Sequence, residues 1–540
     1  MPRAVPLAKA NMQIEGLPPE RPAVEAGEAA SASDAINRGQ LLVQGAFHYA
    51  GQIATLISGI LLVPLMFNHL GPELYGLWIL AFSIPGFAQG LDTIAYFPII
   101  RQVAAHRDFM PEATRRFLSA CCGLYFCSGA VCALITLTVG VSVTSHLHLS
   151  ATTRAAIPTV LIAIAISLVA GRLTAFTTAV LSGHQMFRLM NSISVTVLIV
   201  RTSVFVLLLL LGQSLIPIAV CYAAFSILEA TIALGLTNRL HAFRPSRIFL
   251  EWNRLREIGE FGIVSLMATF VQNVWWSSPQ LLVGLLSGNT SANAALYAGQ
   301  RPCLVISDLN WRGADIIFAA SASQDAQKGK KHNSELLDFG GKNVLAVALP
   351  LAIGLFLFAP ALVKVWLGAA APMTVNVMRL TSAGVVADAL WVGPLHVLWG
   401  LGRVRKVLLI SLCMTSASLV INVVAIHWLG PVGAALTFSV TAWLGAVLTA
   451  AAVANELGIP WSRCLLRPLK ELAIPILSLT GYSLAVLLLS SRPWVTLLSG
   501  SAGGALYAIL FVIKQRKESS AISDHISKEV HFLRKEGRDA

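Results

Sequence analysis

The sequence predicts an all-α polytopic membrane protein with about 14 transmembrane helices, on three observations. Of 540 residues, 56% are hydrophobic and only 12% charged, with a mean hydropathy of +0.72. That is more apolar surface than a soluble domain of this length can hide. Apolar runs of about 20 residues, long enough to cross a hydrocarbon core of ~30 Å, recur along the chain. Finally, lysine and arginine gather in alternate loops. Helices are the reading for such runs, because backbone groups in lipid must be satisfied within the segment.

The spans fall near residues 41–67, 74–100, 117–143, 157–181, 190–211, 214–236 and 258–286, then 292–320, 343–367, 376–400, 405–427, 431–454, 472–490 and 493–513. With the amino terminus inside, six loops are cytoplasmic: 101–116, 182–189, 238–257, 321–342, 401–406 and 455–471. Together they hold 20 Lys and Arg, whereas the seven opposite loops hold Arg154 and Arg492. This positive-inside asymmetry places both termini in the cytoplasm. It also accounts for the net charge of +13 without nucleic acid as a partner.

Residues 1–38 lack apolar periodicity and the short apolar core of a signal peptide, so a disordered cytoplasmic tail is expected. Residues 514–540 form a basic cytoplasmic tail. In it Ile522, Ile526, Val530 and Leu533 recur at helical spacing, suited either to an anionic membrane face or to solvent. The eight cysteines show no metal-ligand spacing, and neither disulfides nor a metal site is expected.

Two segments resemble one another. LLVPLMFNHLGPELYGL (61–77) bridges helices one and two, and LLVGLLSGNTSANAALYAG (281–299) bridges helices seven and eight. Copies six helices apart share an orientation and suggest parallel repeats. The expected organisation is an amino-terminal six-helix lobe (39–237), a cytoplasmic linker (238–257), a carboxyl-terminal six-helix lobe (258–455) and two extra helices (456–513).

The stretch LVPLMFNHLGPELYGLW, with its LG-x-x-x-YG motif (Leu70, Gly71, Tyr75, Gly76), and the helix ending GLDTIAYFPIIRQVAAHRD resemble the oligosaccharide flippases of bacterial polysaccharide synthesis. That family belongs with lipid II flippases and MATE exporters in one superfamily. Many relatives carry Asp-x-Gly at the end of helix two, where this chain has Asp92-Thr93-Ile94. The resemblance implies two MATE-like lobes around a central cavity that opens alternately to either face of the bacterial inner membrane. It also implies a cargo, an oligosaccharide on a polyprenyl pyrophosphate lipid, handled beside membrane lipids and assembly proteins such as a polysaccharide polymerase.

Helix eight carries the strongest candidate site. RPCLVISDLNWRGAD (301–315) contains Arg301, Asp308, Arg312 and Asp315. At ~100° and 1.5 Å per residue, offsets of 7, 11 and 14 put all four within about 60° of one face over roughly 21 Å. Each charge in mid-membrane costs ~2.5–3.5 kcal/mol, so this face must look into protein or water. One reading is structural, with Asp308–Arg312 and Arg312–Asp315 ion pairs holding the lobes together. The other has Arg301 and Arg312 lining a wet cavity, their planar forks matched to phosphate oxygens. Asp308 and Asp315 would then moderate the charge and could take up a proton or sodium ion.

Further substrate-binding candidates are Arg172 and Arg201, in helices four and five, and Asp388, in helix ten with His396 two turns on. Asp92 and Glu229 are candidates for coupling to a cation (H+ or Na+). Arg201 and Glu229 are a candidate pair across neighbouring helices. Lys364 and Arg379, near outer helix ends, suit interface anchoring. QNVWWSSP (272–279) mixes amides, indoles and hydroxyls that suit either sugar binding or packing.

No G-x-x-x-x-G-K-[ST] motif is present, so no nucleotide hydrolysis is expected of this chain. The external loops are short, and the longest, 144–156, has no carboxylate; an enzyme is not expected and no cofactor is implied. Two alternatives to a flippase stand beside it. One is a cation-coupled drug exporter, which would have an acidic cavity; the other is a membrane scaffold for a polysaccharide-synthesis complex, which would transport nothing.

Overall fold

The computed structural model describes residues 26–86, 93–105, 112–184, 186–241, 252–324, 329–368, 371–490, 492–509 and 511. Among these the protein is all-helical, with 14 helices and no strand. They are α1 (Ala26–Gly86), α2 (Thr93–Ala105), α3 (Glu112–Ser145), α4 (Ala151–Gly183), α5 (Phe187–Leu210), α6 (Leu215–His241), α7 (Trp252–Ser287), α8 (Thr290–Gln324), α9 (Gly329–Leu367), α10 (Pro372–Gly400), α11 (Val404–Leu429), α12 (Pro431–Leu457), α13 (Trp461–Leu489) and α14 (493–509). Ten helical stretches are long and apolar enough to cross a membrane. The protein is thus a multi-pass membrane protein. α8, with its charged stripe, and the 13-residue α2 are not among the ten.

α1 supplies more than one span because it kinks at Gly71, where φ is +80°. That conformation suits glycine, and the Pro72 that follows disfavours α geometry at residue 71 while pre-setting φ for the next turn. The motif Leu-Gly-Pro is therefore a helix stop and restart. The part of α1 after the kink, together with α2, occupies the expected second span. Asp92 and the neighbouring residues 87–91 lie outside the described residues.

Three expectations need correction. Residues 26–38, read as tail, are helical: an Ala-, Glu- and Ser-rich stretch has adequate helix propensity without any apolar stripe. The expected loops 321–342 and 455–471 are largely helical as well, since α8 runs to Gln324, α9 starts at Gly329 and α13 starts at Trp461. Hydropathy finds only the part of a helix that lipid surrounds; polar turns continue beyond it. The 514–540 tail and most of the 238–257 linker lie outside the described residues.

Within the chain's first part, α4 packs on α3 and α6, and α1 on α5; in the later part, α10 packs on α8, α9 and α12, and α7 on α11. α13 lies along α9 and α12. On the basic face Asp338 of α9 receives Arg463 at 2.6 Å and Arg467 at 2.5 Å, while Glu471 receives Lys342 at 3.3 Å. α10 is the most enclosed span. Fully buried alanines on α12 (Ala434, Ala435, Ala442, Ala446, Ala450) allow close helix approach, the usual device where lipid provides no hydrophobic driving force.

The two sets of helices meet through α1, which packs on α8 and α7. The meeting point lies at the face that the charge asymmetry assigns to the outside. The Glu73 carboxylate accepts the Ser150 backbone N–H (2.7 Å) just ahead of α4, and its backbone carbonyl accepts the Thr290 hydroxyl (2.8 Å) at the start of α8. His148 N–H donates to the Gly288 carbonyl at 3.0 Å, and Trp366 Nε1 donates to the Ile60 carbonyl at 3.1 Å. Tyr75 and Tyr297, which occupy corresponding Leu-Tyr positions in the two similar segments, meet edge-on with centroids 6.3 Å apart. Corresponding residues touching one another is what a two-fold relation between the segments would produce.

Gly76 is required here by contact. A Cβ on it would lie 1.8 Å from the Thr290 carbonyl oxygen, a backbone atom that cannot swing aside. Gly76→Ala is therefore expected to lower stability by ~1–3 kcal/mol, the usual cost of overpacking, read as a lower melting temperature of the detergent-solubilised protein. An unchanged melting temperature would mean that the two helices do not meet this closely.

Candidate functional site

α8 is unbroken from Thr290 to Gln324, so the charged residues keep one face. Pro302 is accommodated inside it, and its missing N–H frees the Ala298 carbonyl. Along its first three turns this face is covered by α1, through Thr290 on Glu73, Tyr297 on Tyr75 and Arg301 on Gly59. Farther along, the cover ends. Asp308 and Leu309 are exposed, and Arg312 is half-buried. The stripe is thus covered by α1 at Arg301 and exposed at Asp308.

Arg301 sits at that boundary. Its guanidinium lies where a Cβ on Gly59 would come 2.5 Å from an Nη and 3.1 Å from Nε. Its Nε is buried with no hydrogen-bond partner among the described residues. A buried unsatisfied donor costs ~1–3 kcal/mol, more when charged. Asp308 is within electrostatic range of both Arg301 and Arg312. The Asp308–Arg312 ion pair of the structural reading is not formed: neither residue has a hydrogen bond or ion pair among the described residues. An exposed i,i+4 pair is worth only ~0.3–0.5 kcal/mol, too little to fix two solvated side chains. Asp315 shares the face by register, but its side chain is outside the described set.

Gly59 is a positioning residue that the sequence reading missed. Gly59→Ala would push aside the guanidinium, the flexible end of a side chain, so folding should be unharmed. Removing a mid-helix glycine should even add up to ~1 kcal/mol of stability. Anion binding at Arg301 is expected to weaken by about tenfold, a displacement cost of ~1.4 kcal/mol. Titration of the purified protein with inorganic pyrophosphate beside a thermal melt checks both, and unchanged affinity in Gly59→Ala would remove the glycine from the site.

Asp388 does not belong to the stripe. It is fully buried on α10, and its carboxylate accepts four donors: Ser307 Oγ (2.5 Å), Asn310 Nδ2 (3.1 Å), Trp311 Nε1 (3.3 Å) and Trp391 Nε1 (3.1 Å). A carboxylate offers about four lone-pair directions, and all are used. Ser307, Asn310 and Trp311 lie roughly 180–280° around α8 from Arg301 at ~100° per residue. α8 therefore has two polar faces, one charged and open and one latched to α10. His396 continues the latch, packed edge-on against Trp311 (5.5 Å) and Trp399 (5.2 Å). The spacing S-x-x-N-W at 307–311 was the available signal, but nothing in the sequence joins it to an acid 77 residues away.

The amino-terminal candidates are dispersed. Arg172 is buried, with its guanidinium 3.9 Å from Cys132 Sγ and its stem against Gly129. Arg201 stands over the Tyr222 ring, 5.0 Å from its centroid. Glu229 accepts a hydrogen bond from Ser194 at 2.8 Å. The candidate Arg201–Glu229 pair is therefore not made; each finds a nearer partner. Lys364 is exposed and Arg379 donates to the Phe356 carbonyl at 3.3 Å, away from the stripe. In the QNVWWSSP segment, Trp275 is core: it donates to Thr441 Oγ1 at 2.9 Å and stacks on Phe438, while Gln272 donates to Ser411.

Together, the 14 helices of the described residues and the incompletely partnered charged stripe of α8 define a polytopic membrane protein with intramembrane charge. Residues 41–309 match the model of the polysaccharide biosynthesis protein family. No curated protein sequence matches. Among solved structures, the chain is similar to the lipid II flippase MurJ in an inward closed conformation, with a TM-score of 0.66 and 14% identity over 88% of this chain and 99% of that one. It is also similar to the MATE multidrug transporter DinF-BH (TM-score 0.59, 13% identity, 77% and 95% coverage). A third is a MOP superfamily transporter from Pyrococcus furiosus (TM-score 0.51, 14% identity, 78% and 94% coverage). At these identities the similarity establishes the shared fold.

Proposed function

We propose that this protein is a flippase that carries a polyprenyl-pyrophosphate-linked oligosaccharide across the bacterial inner membrane for polysaccharide assembly. The observation that carries the reading is Arg301, a guanidinium with a buried, unpartnered Nε at the head of the charged stripe, in a chain whose residues 41–309 match the polysaccharide biosynthesis family. A pyrophosphate supplies the missing acceptors: Arg301 and Arg312 bind its oxygens, and Asp308 between them limits the positive field of the empty site. The lipid tail stays in the bilayer. The contacts around Glu73 and Thr290 close the outer side, so cargo enters from the cytoplasmic side and leaves outward once those contacts open.

In this reading the two six-helix lobes, 39–237 and 258–455, rock against one another along the α1–α8 seam, with both termini cytoplasmic. The energy comes from a proton or sodium gradient, or from the membrane potential, worth ~2.3 kcal/mol per unit charge per 100 mV. Asp308, the accessible carboxylate of the stripe, is the candidate carrier of the coupling ion. Arg172, Arg201 and Asp92 keep a proposed role along the path, whereas Asp388 and Glu229 act as structural acceptors.

In the source organism, deletion of the gene is expected to leave polyprenyl-linked oligosaccharide on the cytoplasmic leaflet and to deplete surface polymer, with wild-type protein restoring both. Normal surface polymer without accumulation would sink the cargo assignment and make drug export the next assay. Purified protein in liposomes separates a flippase from a scaffold, because a scaffold moves no lipid.

A further inference from the structure

A second polar site stands on the other side of α1. Ser58 and Thr202 share a 2.7 Å hydrogen bond that ties α1 to α5, and the next residue of α1, Gly59, abuts Arg301 of α8. Arg201 adjoins Thr202. Two arginines therefore flank α1 at one depth in the membrane, Arg301 toward the later helices and Arg201 within the earlier ones. The Arg201 guanidinium lies over Tyr222 of α6. Tyr222 in turn meets Trp78 (5.5 Å, 87°) and Phe82 (5.2 Å, 85°) edge-on, with Phe205 at 6.5 Å. Trp78 and Phe82 are one turn apart on the part of α1 after the kink.

Neither the Arg201 guanidinium nor the Tyr222 hydroxyl has a hydrogen bond or ion pair among the described residues, and both side chains are only half-buried. A cation–π contact offsets part of the cost of an arginine in mid-membrane, but it satisfies none of the five N–H donors. The apolar neighbours of Arg201 along α5 face outward at Ile199 and Val200, which are exposed, so the arginine points away from lipid.

We propose that Arg201, Tyr222 and the half-buried ring of Phe82, backed by the buried Trp78, form a subsite for a sugar ring of the cargo, a refinement that rests on the flippase reading. The chemistry separates it from the α8 stripe. A pyrophosphate calls for several cations, and α8 offers two; here one guanidinium and one hydroxyl are framed by aromatic rings. Sugar rings match that combination, with C–H faces that pack on aromatic rings and oxygens that accept from guanidinium and hydroxyl donors. Tyr222 also fixes the guanidinium, so little side-chain freedom is lost on binding.

The test compares two probes on the purified full chain in nanodiscs: undecaprenyl pyrophosphate, and the lipid-linked oligosaccharide extracted from cells lacking this gene. Wild type is expected to bind the sugar-bearing lipid about tenfold more tightly than the bare pyrophosphate. Arg201→Gln and Tyr222→Leu should each erase that difference while leaving affinity for the bare lipid unchanged, whereas Arg301→Ala should weaken both lipids alike. Tyr222→Phe keeps the ring and removes one hydroxyl; a roughly threefold loss confined to the sugar-bearing lipid is expected, and it decides the matter should Tyr222→Leu fail to fold. Equal wild-type affinity for the two lipids, or variants that weaken both equally, would overturn the sugar subsite and leave the flippase reading standing. Failure of wild type to bind either lipid would overturn both.

Discussion

Replacing Arg301 with alanine is expected to cut transport by about 100-fold while leaving the abundance of the protein unchanged. Hydrogen bonds to a charged group contribute ~1.5–3 kcal/mol each, so losing even two from guanidinium to pyrophosphate costs about two orders of magnitude. Stability should hold, because the residue removed carries an unsatisfied buried donor, Nε, and its packing neighbour on α1 is a glycine. Alanine there relieves a cost. Arg301→Lys keeps the charge but loses the planar fork and should recover only part of the activity. The measurement is flipped lipid per folded transporter in liposomes, with abundance followed in the membrane. If Arg301→Ala disappears from the membrane instead, the arginine is a structural element and the stripe is not a cargo site.

The opposite pattern is expected at Asp388. Asp388→Ala should destabilise the protein by ~3 kcal/mol or more, since the buried donors of Ser307, Asn310 and Trp391 and the half-buried one of Trp311 lose their acceptor at once. Asp388→Asn retains one acceptor oxygen and sets an N–H2 against donors, so it should fall between the two. The readout is the melting temperature in detergent and membrane abundance, with transport normalised to folded protein expected to stay near wild type for Asp388→Asn. A well-folded Asp388→Asn that no longer transports would show that the carboxylate serves the cargo or the coupling ion after all. The pair of experiments asks whether the two polar faces of α8 carry different tasks: one holds α8 to α10, and the other meets the ligand.

Both predictions concern one helix whose charged face could be read from the sequence and whose latch could not. Four charged residues on a single face of a membrane helix announce themselves through a cost of desolvation, and the spacing alone fixes the face. Ser307, Asn310 and Trp311 announce nothing, because small polar groups and indoles are ordinary in helices; only the approach of α10 turns them into a cage for Asp388. The same limit explains why the candidate pair of Arg201 and Glu229 is not made. Being on neighbouring helices is visible in topology, but which side chains face each other depends on helix rotation. Rotation gave Arg201 the ring of Tyr222, and it gave Glu229 the hydroxyl of Ser194.

By itself the sequence determined the class, the helix order and the charged stripe of α8. Each follows from the free energy of placing a residue in lipid or water, which is a local property of the chain. Only the tertiary structure decided that Gly59 seats Arg301, that Glu73 ties α1 to the starts of α4 and α8, and that Asp388 latches α8 to α10. These contacts join residues 77 or more positions apart, set by how closely helices approach and how they are turned, and no local free energy encodes them.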